Sequence, residues 1–375
     1  INFISMTMSL VYFCSFIVFG FSALLMYTSC GTDTVDSQPN FNDLFVNTSD
    51  NIIIPRYAKL QTEIINLSGA LEAFDGTEMK LSNLQNQFIE TYHAWQRVSV
   101  FQFGPAAEFS ALLRENCNTF PANPILIEAN ISLENYSLDL PSNYESKGFS
   151  ALDYLFFHAH NNELLIELSN PLRLAYAKDC VDDMRSRISG VVTSWDSYRT
   201  TFLAAEGNDR NSSLSLLFNQ FLFDYEQIKR NKLALPSGFA TQYGIPLDAD
   251  TALVEGLYSK QSFALIATNL QALQNIYLGI GEDGIDGVGM YEKLKEYNAQ
   301  STVVEGDLAE AIQDQFEVCK TLIAGFSNDL PFEIQSNIAQ IQLVSNEFQK
   351  MVPMLKNDMR SYLSVTVTLT DSDGD

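Results

Sequence analysis

Positive charge is scarce in this chain: 22 lysines and arginines stand against 46 aspartates and glutamates, a formal net charge of −24. A surface this acidic repels phosphate backbones, which excludes nucleic acid as a partner. Histidine is scarcer still. His93, His158 and His160 are the three present, and none belongs to an HExxH pair. Only His158 and His160, which flank Ala159, lie close enough in sequence to meet at one metal. Of five cysteines, Cys14 and Cys30 fall in the N-terminal segment, and Cys117, Cys180 and Cys319 are far apart. That spacing fits neither a zinc finger nor a disulfide scaffold and reads as buried free thiols. No serine or cysteine has an aligned base and acid around it, so nucleophilic hydrolysis finds no support.

Charge of either sign is missing from residues 1–32, and 6–26 are largely apolar, long enough to span a bilayer. Thr28-Ser29-Cys30-Gly31 follows, then a polar run without helical periodicity. An apolar segment ending in small residues and a cysteine resembles the lipobox of a bacterial lipoprotein, with 1–29 as leader, Cys30 as the lipidated residue and 30–49 as a flexible linker. Against that pattern stand Tyr27, where leucine is usual, and the absence of a basic start. An uncleaved anchor is the alternative, and both place residues 50–375 outside the cytoplasm, held to a membrane.

Beyond this segment, apolar residues recur at three- and four-residue spacing, and the chain reads as all-α, a two-lobed set of antiparallel helical bundles. Helices are expected over 51–74, 79–103, 106–117, 148–157, 171–205, 212–235, 251–278, 303–326 and 332–363, with Pro353 a kink in the last. A break at Pro236-Ser237-Gly238 divides an N-terminal lobe, 50–237, from a C-terminal lobe, 238–375. Residues 365–369 alone alternate like a strand. Gly279-Ile280-Gly281-Glu282-Asp283-Gly284 matches GxGxxG by letter, but it follows a helix and carries two acids where a pyrophosphate would sit, so it is no nucleotide site. The tail Asp371-Ser372-Asp373-Gly374-Asp375 begins like a calcium loop without the later ligands.

The centre of interest is Gly148-Phe149-Ser150-Ala151-Leu152-Asp153-Tyr154-Leu155, an apolar helix with two small polar groups. Ser150 and Asp153, three apart, share one face and need partners once buried. Arg97, in the apolar Tyr92-His93-Ala94-Trp95-Gln96-Arg97 run, calls for a carboxylate or a ligand anion. Glu255 and Ser259, four apart on an expected helix, would share a face, and Glu255 is a candidate partner for Arg97.

Trp95 and Arg97 before Phe103-Gly104-Pro105, then Gly148 to Leu155, Val254-Glu255 with Tyr258-Ser259, and the Asp373-Gly374-Asp375 end together resemble the imelysin-like family of bacterial envelope proteins. The resemblance implies a two-lobed helical fold around a GxHxxE motif; some members are described as metallopeptidases and others are linked to iron uptake. Here Ser150 stands at the histidine position and Asp153 at the glutamate position. A hydroxyl is a poor ligand for zinc or iron, and aspartate is one methylene short of glutamate. The expectation is therefore an exported, non-catalytic binding component tied to iron or haem uptake. Its site would use Ser150, Asp153, Arg97, Glu255 and Ser259, and Asp153 would be the one protein ligand to any iron or zinc. A metallopeptidase with a rebuilt metal site and a purely structural scaffold are the alternatives.

Overall fold

A computed structural model of the protein describes residues 40–368. The apolar N-terminal segment, Cys30 and the acidic tail lie outside the described residues.

The first helix, α1 (Asn42–Asn47), runs through a π-helical turn (Thr48–Ile53) into α2 (Ile54–Glu72). Helix therefore begins nine residues ahead of the expected start, inside the stretch read as a linker. Leu44 and Phe45 explain it, since both are buried and Phe45 packs edge-on to Phe202. Along α2, Tyr57, Leu60, Ile64, Leu67 and Leu71 recur at helical spacing and are buried. Each such side chain contributes about 1.5–3 kcal/mol on leaving water. The short 73–77 turn returns the chain as α3 (Glu78–Gln96). That helix stops earlier than expected because Val98, Val100, Phe101 and Phe103 are all buried, a distribution that no single helical stripe provides.

Short helices follow: α4 (Leu113–Cys117), α5 (Pro124–Leu133), α6 (Gly148–Phe157) and α7 (Asn161–Leu168). The long α8 (Pro171–Ala204) starts where the Asn170 side chain accepts the Leu172 N–H and Pro171 takes the first position. It packs against α2, which packs in turn on α3. Ser212 caps α9 (Ser213–Glu226), which loosens into a π-helical segment, Gln227–Ala234. A two-residue hairpin, β1 (Thr241–Gln242) against β2 (Ile245–Pro246), is the only sheet among the described residues.

The chain closes with α10 (Ser262–Leu278), α11 (Met290–Glu296), α12 (Leu308–Ile323), α13 (Leu330–Ser336) and α14 (Ile338–Pro353). After Pro353 the helix again widens to π geometry over Met354–Met359 and ends in α15 (Arg360–Leu363). Proline removes a backbone donor, which accounts for the change of winding there. Residues 365–368 form no strand, although Asn219 bonds Thr366 O and Thr368 N at 3.0 and 2.8 Å in a strand-like way. The architecture is all-α. Helix α3 touches α10 as well as α2, and that contact joins the earlier helices to the later ones.

Candidate functional site

Helix α6 is placed by its first residue. Gly148 has φ +70°, and a Cβ there would lie 2.2 Å from the Cys117 carbonyl oxygen at the end of α4. Only glycine allows that approach. One residue on, the Phe149 ring stacks on Tyr92 of α3 at 4.6 Å with planes 7° apart. These contacts fix where Ser150 and Asp153 point.

Both are buried. The Ser150 hydroxyl donates to the Thr119 carbonyl in a short hydrogen bond. Asp153 accepts two backbone N–H groups, Tyr258 on Oδ2 at 2.9 Å and Ser259 on Oδ1 at 3.0 Å. Those donors sit in residues 254–261, which the spacing read as helix. They form a tight loop instead, with Gly256 at φ +65° and Lys260 at φ +59°, and helix begins only at Ser262. The loop conformation turns two successive N–H groups toward one carboxylate, which a continuous helix could not do. Burial pushes the Asp153 carboxyl up to about 6, offset in part by the hydrogen bonds from Ser259 and Tyr258 and reinforced by the nearby Glu255 charge.

Glu255 leaves the same loop in another direction and is 2% exposed. Its Oε1 accepts from Asn118 (2.7 Å), Gln96 (2.8 Å) and Tyr92 (3.2 Å), and its Oε2 pairs with the Lys232 ammonium at 2.9 Å. Lys232 also donates to Gln96 Oε1 at 2.6 Å and Asn269 Oδ1 at 2.8 Å, so the ammonium joins the carboxylate to two side-chain amides. Asn269 passes the network to Asp224 at 2.6 Å, which further accepts from Ser99 at 2.9 Å and faces Arg114 at 3.5 Å. Two carboxylates and two cations thus balance in the interior, each paired with an opposite charge and each hydrogen-bonded to neutral groups, the condition under which buried charges are tolerated.

The network opens on one side. A pocket of about 300 Å³ is walled by Trp95, Arg114, Asn118, Asp224, Lys232 and Leu235. Of the residues singled out from sequence, none lines the pocket: Ser150 and Glu255 reach its wall through Thr119, Asn118 and Lys232, and Asp153 and Ser259 pair with each other behind it. Arg97 stands apart. It lies one position past Gln96, so its side chain leaves α3 on a different face, 42% exposed, and meets Glu282 at 3.2 Å. The cation paired with Glu255 is Lys232. Asp224, Lys232, Arg114 and Asn269 escaped the sequence reading because their partners lie tens of residues away or more, beyond what spacing along one helix can show. Tyr92 and Gln96 were findable: four apart on α3, they share a face.

The histidines stand elsewhere. His158 bonds the Tyr154 carbonyl at 2.9 Å and Glu167 at 3.1 Å, His93 bonds Thr268 at 2.8 Å, and His160 precedes α7 on the surface. Among the described residues no group of three or more His, Cys, Asp or Glu is arranged to hold a metal. The donors at the motif do not fit one either. The Ser150 hydroxyl donates to a carbonyl, and the buried Asp153 already accepts one N–H on each oxygen, so the motif offers a cation one partly engaged carboxylate and no imidazole. Cys117, Cys180 and Cys319 are free and buried, and burial pushes the Cys319 thiol up to about 12.

The fold is an all-helical body with a glycine-led central helix whose aspartate is held by two backbone N–H groups. The imelysin family model matches residues 53–352, and the chain belongs to that family. Two solved structures share the fold. An iron-regulated protein A precursor from Parabacteroides distasonis is 15% identical with a TM-score of 0.71, covering 88% of this chain and 97% of its own. An imelysin-like protein from Psychrobacter arcticum is 18% identical with a TM-score of 0.64, covering 88% and 96%. No curated protein matches by sequence. Among the described residues, no helix is long and apolar enough to cross a membrane.

Proposed function

We propose that this imelysin-family protein is a non-catalytic binding component of the cell envelope that serves iron or haem acquisition, tethered through a lipid at Cys30. The observation that carries the reading is the state of the motif. The Ser150 hydroxyl ties α6 to the Thr119 carbonyl and Asp153 ties it to the 254–261 loop through two N–H groups, so both side chains are engaged in holding the fold. What remains open is the neighbouring pocket, where Arg114 and Asn118 offer donors beside the aromatic face of Trp95. Its volume lies at the small end of the roughly 300–1,000 Å³ of ligand sites. The iron link comes from the printed description of the Parabacteroides relative.

Trp95 supplies the readout. Titrating ferric chelates and haem into the purified protein should quench its fluorescence in a saturable way, and Arg114→Gln should weaken that response. Absence of binding to iron salts, ferric chelates, haem and components of an uptake system would reject the proposal. Chelator-sensitive cleavage of casein, lost in Asp153→Asn, would favour the metallopeptidase in its place.

A further inference from the structure

A second cavity, of about 440 Å³, lies against α2, α3, α10 and the glycine-rich loop 279–289, away from the pocket below Trp95. Arg56 and Arg97 both line it. Two guanidinium groups at one cavity stand out in a chain with more than twice as many acids as bases. Arg56 is 2% exposed and poorly served for its depth: its Nη1 reaches the Arg97 and Ala272 carbonyls only at 3.3 Å each. Its Nε stands 3.4 Å from Glu282 Oε2 and meets no hydrogen-bond acceptor among the described residues. Arg97 reaches the other oxygen, Oε1, at 3.2 Å. One carboxylate is therefore stretched between two arginines, at distances longer than the 2.7–2.9 Å of good charge-assisted bonds.

Glu282 sits inside the GxGxxG-like segment. The base of the loop is clamped, with Asn47 donating to Gly279 O at 2.7 Å and Val288 O at 3.0 Å, and Glu282 N donating to Asn51 O at 2.8 Å. Rotating the Glu282 side chain, already 23% exposed, would free both guanidiniums without moving the loop. Thr268, Gln271 and Asn275 of α10 add neutral hydrogen-bonding groups to the same wall.

We infer that this cavity is a binding site for a small polycarboxylate, with Arg56 and Arg97 each taking a carboxylate group and Glu282 acting as the built-in competitor that the ligand displaces. The class follows from the stand-in: a carboxylate already bridges the pair, and one negative charge leaves the other guanidinium uncompensated. The inference is independent of the pocket at Trp95 and of the iron reading.

The test is calorimetric titration of the full chain, in mild detergent at low salt, with tricarballylate and separately with inorganic phosphate. Saturable binding of tricarballylate is expected. Glu282→Gln should tighten it by about tenfold, and Arg97→Gln, at a half-exposed position that the fold tolerates, should weaken it by about tenfold or more. A merely structural ion pair would show the reverse pattern, a lower Tm in Glu282→Gln and no heat with any anion. Absence of tricarballylate binding in both the natural chain and Glu282→Gln would overturn the site. Tighter binding of phosphate than of tricarballylate would overturn the carboxylate assignment.

Discussion

Replacing Asp153 by asparagine tests the physical reading of the motif, because two opposed effects act on that carboxyl. Burial disfavours its charged form, while two N–H donors favour it. The balance raises it from an ordinary 3.8 to about 6. Below about pH 3.8 the group is protonated in both folded and unfolded chains and costs nothing. Between there and about pH 6 the unfolded chain ionises first, so stability falls as pH rises, and above about 6 the cost is fully present. At 1.36 kcal/mol per pH unit the loss amounts to about 3 kcal/mol. Asparagine cannot ionise, and it accepts one N–H while crowding the other with its own amide, a deficit that does not vary with pH. Urea unfolding of both proteins from pH 4 to 7.5 isolates the term, since the other carboxyls cancel in the difference. The natural protein should lose about 2.4 kcal/mol relative to Asp153→Asn across that range, the rest of the loss falling below pH 4. A difference that stays flat would refute the burial argument. One that moves the other way would mean that the N–H pair outweighs burial.

The Glu255–Lys232 pair supplies a second prediction. Lys232→Met strands Glu255 at 2% exposure and should cost about 3–5 kcal/mol in urea unfolding, whereas the Lys232→Met/Glu255→Gln double variant should recover part of it. At the start of α6, Gly148→Ala meets the Cys117 carbonyl at φ +70° and should destabilise by several kcal/mol or prevent folding, as read by circular dichroism. On the surface, Arg97→Ala should change stability by less than about 1 kcal/mol, since its partner contact is half in solvent.

Much of this arrangement could be read from the residues alone. The apolar spacing of 148–157 and the punctuating Gly148 located the central helix, and the three-residue step from Ser150 to Asp153 put two polar groups on its inner side. What could not be read were departures from regular winding. The Val254-Glu255-Gly256-Leu257-Tyr258 pattern has helical spacing, yet Gly256 and Lys260 adopt left-handed backbone and turn it into the loop that caps Asp153. Lys232, in the π-helical segment after Glu226, pairs with Glu255 of a separate loop, a tertiary contact that spacing along one helix does not reveal. Arg97 went to Glu282 rather than to the expected Glu255 because the one-residue step from Gln96 rotates it to another face of α3.

The central claim is that this family member holds a hydrogen-bonded latch where a metal ligand would stand. Elemental analysis of the purified chain after incubation with iron and zinc, alongside Asp153→Asn, tests it directly. The account predicts no metal retained through the motif and the same content in both proteins. One metal per chain, lost in Asp153→Asn, would contradict it.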